Sequence, residues 1–153
     1  MRSIDVIVGM INLRKAYQRA IAEVARRHGF SRLEVDVLLF LANNADCDTA
    51  GVVSEVLHVA KSNVSAAVDG LLSRGLISRE ADARDRRRGR LRVLPAARAA
   101  VEDARGAQAA FFEALFTGFD GEERARFLAS FEKLAQNIAP ERGGEEKAEE
   151  RPC

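Results

Sequence analysis

Nine residues, Asp82-Ala83-Arg84-Asp85-Arg86-Arg87-Arg88-Gly89-Arg90, hold five arginines and two aspartates. Guanidinium groups at this density make a grip for a polyanion. Arg loses less hydration than Lys on entering a narrow, negative groove. The Asp85-x-Arg87 spacing lets a carboxylate hold one guanidinium in place, so Arg87 is the first choice for minor-groove insertion. A second set is Lys61, Ser62, Asn63, Ser65 and Ala66. These small polar or methyl-bearing side chains suit a helix whose N-terminal turns meet base edges and phosphates. Ala66 offers a contact for a thymine methyl.

The elements that must position these residues follow from periodicity. Val64, Val68, Leu71 and Leu72 are spaced as one apolar helix face, which leaves the polar set on the opposite face. A shorter pattern, Val52, Val53, Val56 and Leu57, precedes it across a three-residue break, His58-Val59-Ala60. Two helices joined so tightly form a helix-turn-helix. Gly75 closes the second helix. Leu76–Glu80 and Arg90–Leu94 then alternate as strands, so the arginine stretch is the tip of a two-stranded wing.

Around this unit the sequence predicts more helix. Ile4, Ile7, Val8, Ile11, Tyr17, Ile21 and Val24 mark a first helix ending near His28-Gly29. Phe30-Ser31-Arg32-Leu33-Glu34-Val35 starts a second, with Ser31 and Glu34 as a capping box and Phe30 and Val35 as a staple. It runs to about Ala42. Pro95 opens a helix in which eight of the fifteen residues Ala96–Ala110 are alanine. Asp120-Gly121-Glu122-Glu123 caps the last helix, with Phe127, Leu128, Phe131, Leu134, Ala135 and Ile138 on its stripe. The fold class is mainly α with a small β-wing: a winged helix-turn-helix flanked by N- and C-terminal dimerisation helices. The expected divisions are 1–30 (dimerisation helix), 31–94 (winged helix-turn-helix lobe), 95–139 (dimerisation helices) and 140–153 (a charged, disordered tail).

Charge is segregated along the chain. From Leu71 to Arg98 nine arginines meet three acidic residues, a net +6 against +1 for all 153 residues. A basic patch on a near-neutral protein points to a local nucleic-acid contact rather than a general basic coat. Two cysteines, Cys47 and Cys153, allow no disulfide framework and suit a reducing, cytoplasmic setting. Asp46 and Asp48 flank Cys47 and disfavour its thiolate, which argues against redox sensing. His28 and His58 are isolated, so no metal or other cofactor is expected. No signal peptide, membrane span or enzyme motif stands out.

The segments VVSEVLHVAKSNVSAAVDGLLSRGLISRE and ARDRRRGRLRVLP resemble a winged-helix regulator of the multiple antibiotic resistance regulator (MarR) type. The resemblance covers roughly Met1 to Ala139, and its specific parts are LLSRGLISR and Asp85-Arg86-Arg87. Two positions depart from the pattern: Ala60 and Leu94 replace hydroxyl residues that cap helices, at about 1 kcal/mol each. The resemblance implies a homodimer binding double-stranded DNA at a pseudo-palindromic operator through Lys61, Ser62, Asn63, Ser65, Ala66, Arg84, Asp85, Arg86, Arg87, Arg88 and Arg90. The large apolar residues of the terminal helices support pairing independently. It also implies repression relieved by a small aromatic ligand in a pocket for which Arg14, Tyr17, His28, Phe30 and Phe40 are candidates. The competing readings are a winged-helix protein-interaction module and a DNA-binding protein without sequence preference.

Overall fold

Local chemistry at the helix ends accounts for most of the architecture. The structure is a computed structural model that describes residues 2–45, 48–81 and 89–138. Its elements are α1 (Ser3–His28), α2 (Arg32–Asn43), α3 (Ala50–Leu57), α4 (Lys61–Ser73), β1 (Ile77–Ala81), β2 (Gly89–Val93), a 3-10 turn (Pro95–Ala97), α5 (Arg98–Leu115) and α6 (Gly121–Ile138). Gly29 ends α1 in the left-handed region at φ 66°, where glycine pays no Cβ penalty. The Phe30 N–H reaches back to the Ala25 carbonyl at 2.8 Å. The Ser31–Glu34 capping box forms as expected, with the Ser31 N–H donating to Glu34 Oε2 at 2.6 Å and the Glu34 N–H to Ser31 Oγ at 3.2 Å. Asp120 and Glu123 do the same for α6, at 2.8 and 2.9 Å. Ala60 and Leu94 make no side-chain cap.

The chain divides into two units between Phe111 and Phe112. In the first, α2 is a wall between two apolar clusters. One joins Val37, Leu38, Phe40 and Leu41 to Val53 of α3, Val64, Val68 and Leu71 of α4, Ile77 of β1 and Leu91 of β2. The other joins Val35 and Leu39 to Ile21, Val24 and Ala25 of α1 and Ala104 of α5. Phe30 packs against both. Along α1 only Ile21, Val24 and Ala25 are buried, whereas Ile4, Ile7, Val8 and Ile11 of the expected stripe are exposed. In α3, Val56 is exposed and Ser54 is buried instead, its hydroxyl donating to the Val59 carbonyl at 2.8 Å.

The two strands pair antiparallel, with Ile77 opposite Val93 and Ala81 opposite Gly89. Thr49 adds a single antiparallel bridge to Arg90. In the second unit, Phe116, Phe119 and Phe127 meet edge to face at 5.5–6.3 Å. No residue of α6 is buried, and Phe127, Leu128, Phe131, Leu134 and Ile138 stand exposed. Among the described residues no helix is long and apolar enough to cross a membrane.

Candidate nucleic-acid interface

The turn before α4 sets which face of that helix looks outward. His58 sits at φ 51° and ψ 45°, a left-handed conformation that costs a non-glycine residue about 1 kcal/mol. It turns the chain sharply enough for α4 to begin at Lys61. Val64, Ala67, Val68 and Leu71 are then buried against the lobe, while Lys61, Ser62, Asn63, Ser65 and Ala66 are all exposed. Leu72, expected in the buried face, is half-buried, and Ala67 completes that face instead. The exposed surface of α4 is polar over its first two turns, and its unpaired N–H groups add positive partial charge at Lys61.

Beside α4 runs a concave surface of about 1090 Å³, lined by residues that include Thr49, Gly51, Glu55, Lys61, Arg79 and Gly89. It therefore joins the start of α3, the start of α4 and the wing strands. Arg79 spans part of it, its guanidinium 3.7 Å from Asp69 on α4. A Cβ at Gly89 would come within 2.8 Å of the Arg79 side chain, which would have to shift to admit it.

Of the wing residues, Arg84, Asp85, Arg86, Arg87 and Arg88 lie outside the described residues, as do Cys47, Cys153 and the segment 140–153. Arg90 is described, at the root of the wing, where an acidic side chain holds its guanidinium. Its Nε donates to both oxygens of Asp48, at 2.8 and 3.1 Å. Arg92 lies 3.1 Å from the same carboxylate and donates to the Ala45 carbonyl at 3.0 Å. Nothing in local spacing announces this group, because its partners are 42 or more residues apart.

A separate cleft of about 340 Å³ opens between α1, α2, the turn at Val59 and α5. It brings together Arg14, Tyr17 and Phe40. His28 and Phe30 are elsewhere. His28 Nε2 lies 2.9 Å from Asp103 of α5, and Phe30 lies under the Arg74 guanidinium, 4.1 Å from its ring centre. Both are committed to holding α1 in place. The cleft gains Gln18, Arg32, Asp36 and Gln108, which periodicity passed over. The Tyr17 hydroxyl accepts from the Gln108 amide at 3.2 Å. The Gln18 amide, oriented to satisfy its neighbours, accepts from Arg32 at 2.8 Å and Arg14 at 3.2 Å. Burial pushes the Asp36 carboxyl above its ordinary value, against the pull of Arg32. Burial, helped by the Asp36 charge, also raises Tyr17, although the Gln108 hydrogen bond opposes it. One signal was available: Asp36 is the single charge in the apolar run from Val35 to Leu41. Among the described residues no cluster of three or more His, Cys, Asp or Glu could hold a metal.

Comparison with known proteins matches residues 28–88 to the MarR family. Solved structures align over nearly the whole chain. A MarR-family transcriptional regulator from Silicibacter pomeroyi is 28% identical, with a TM-score of 0.75 over 87% of this chain and 89% of that one. A MarR transcriptional regulator from Methanosarcina mazei Go1 is 20% identical, with a TM-score of 0.76 over 90% and 91%. A DNA complex of MepR from S. aureus is 18% identical, with a TM-score of 0.67 over 89% and 94%. No curated protein sequence matches significantly.

Proposed function

We propose that the chain, whose residues 28–88 match the MarR family and whose fold is that of MarR-family transcription regulators, is a ligand-responsive repressor that grips an operator as a homodimer. The observation that carries the reading is the exposed polar start of α4, set beside the root of an arginine-rich wing. Lys61, Ser62, Asn63, Ser65 and Ala66 enter the major groove. Arg84, Arg86, Arg87 and Arg88 serve the wing, with Asp85 orienting Arg87 toward the minor groove. The MepR structure with DNA bound supports this arrangement by its fold. A docking helix for a protein partner would expose large apolar side chains at these positions, and α4 exposes none. The role requires no catalytic chemistry and belongs in the cytoplasm.

Pairing comes from the apolar residues left exposed on α1 and α6. Two-fold symmetry then gives a pseudo-palindromic site with half-sites about one helical turn apart. The cleft at Arg14, Tyr17 and Phe40 receives a small aromatic ligand. Such a ligand releases DNA only by binding better to the dimer whose lobes are wrongly spaced.

The test is selection of duplexes from a randomised pool by the purified protein, followed by a salt titration on the selected duplex. An inverted repeat should emerge, and affinity should fall steeply as salt rises because phosphate contacts release counterions. On the same duplex Arg87→Ala should weaken binding by roughly 1–3 kcal/mol. A pool that never enriches, or a flat salt profile, overturns the function.

A further inference from the structure

Asp48 carries a charge yet its side chain is only 4% exposed, just before α3 begins. Three kinds of contact converge on it and on Thr49. The Asp48 carboxylate takes Arg90 on both oxygens and has Arg92 3.1 Å away. The Asp48 carbonyl accepts from the Leu91 N–H at 2.6 Å. Thr49 bridges to Arg90 in the sheet and also caps α3, its Oγ1 accepting from the Val52 N–H at 3.4 Å. The first turn of the helix-turn-helix and the middle of β2 are therefore fastened at one two-residue junction.

This fastening runs against simple charge economy. A surface built for phosphate would gain by leaving Arg90 and Arg92 free, and a buried carboxylate must be desolvated to neutralise them. What the arrangement supplies is direction. Arg90 and Arg92 leave the same face of β2, and holding both side chains to one fixed carboxylate sets the strand's tilt against α3. Through the turn at His58, that tilt is also set against α4.

We propose that Asp48 is a positioning residue for sequence discrimination. It fixes the wing relative to α4 so that both reach their grooves in register, at the expense of two cations that would otherwise strengthen binding to any duplex. The proposal rests on the reading of α4 and the wing as a joint grip on DNA.

The experiment compares wild type with Asp48→Asn on the duplex selected by wild type and on a shuffled duplex of equal composition. Fluorescence anisotropy gives affinities, and a thermal melt reports folding. Removing one negative charge makes the variant more cationic, so its affinity for the shuffled duplex should hold or rise. Its affinity for the selected duplex should fall, shrinking the ratio of the two by roughly tenfold. A melting change with no change in that ratio makes Asp48 a folding residue only and overturns the proposal, as does a parallel shift on both duplexes. In an Arg90→Gln/Arg92→Gln background, adding Asp48→Asn should leave the ratio where it is; a further tenfold loss there overturns the route through the two arginines. If Asp48→Asn does not fold, Arg92→Gln keeps the Arg90 pair and is read by the same ratio, an unchanged value again being fatal. Failure of the underlying grip shows earlier and differently, as wild type binding both duplexes equally.

Discussion

Truncating Phe131 to alanine separates a self-associating protein from a solitary one. Phe131 is 49% exposed on α6, so about half its surface remains to be covered. Fully burying a side chain of this class is worth about 1.5–3 kcal/mol, and the uncovered half therefore about 1 kcal/mol. In a symmetric pair each protomer contributes the same residue. The loss on association becomes about 1.5–3 kcal/mol, or roughly 10–150-fold in the dissociation constant. Phe131 also stacks on Phe127 within its own helix, with ring centres 6.2 Å apart. That contact exists before association and drops out of the comparison. Sedimentation equilibrium over a dilution series gives both constants directly. If Phe131→Ala dissociates at the same concentration as wild type, α6 is not the seam. If wild type is monomeric throughout, the homodimer is refuted and the pairing of half-sites with it.

Two further perturbations test the first unit. Asp36 binds its proton more tightly folded than unfolded, because burial raises its carboxyl. Its charged form therefore costs stability above the folded value, and that cost disappears as pH falls through it and both states become protonated. Asp36→Asn should be more stable than wild type at neutral pH, with the difference closing in acid; urea denaturation at several pH values would show a constant gap if the reasoning is wrong. Ala60 occupies the N-cap of α4 with an extended backbone, φ −54° and ψ 137°, and no side-chain bond. Ala60→Ser should therefore add about 1 kcal/mol, measured by the same denaturation, and no gain would mean that another group already satisfies the start of α4.

Where the chain carries its own punctuation, sequence and structure agree closely. Gly29, Ser31 with Glu34, the break at His58–Ala60 and Asp120 with Glu123 each act within one turn of the backbone, so residue order alone reports them. The polar face of α4 was legible for the same reason: Val64, Val68 and Leu71, buried at helical spacing, determine what lies opposite. The cleft was half legible. Tyr17 and Phe40 lie on helix faces that periodicity describes, but His28 and Phe30 were drawn away by Asp103 and Arg74, partners 75 and 44 residues distant in the chain. Asp48 was hidden more completely. Beside Cys47 it reads as a local influence on a thiol, and only the sheet brings Arg90 and Arg92 to it. Long-range ion pairs have no period, and this is why residue order does not announce the pairing of Arg90 with Asp48.

Arg74 follows α4 directly, and its guanidinium donates to the carbonyls of Gly29 at 2.9 Å and His28 at 3.1 Å. It thus closes the far end of α1 with a charge attached to the far end of α4. In the proposed pair, α1 belongs to the shared seam, so Arg74 works as an axle pin between frame and arm. On that proposal the separation of the two arms depends on this pin, and a change there would retune which operator length the pair can span without altering the side chains proposed to meet bases.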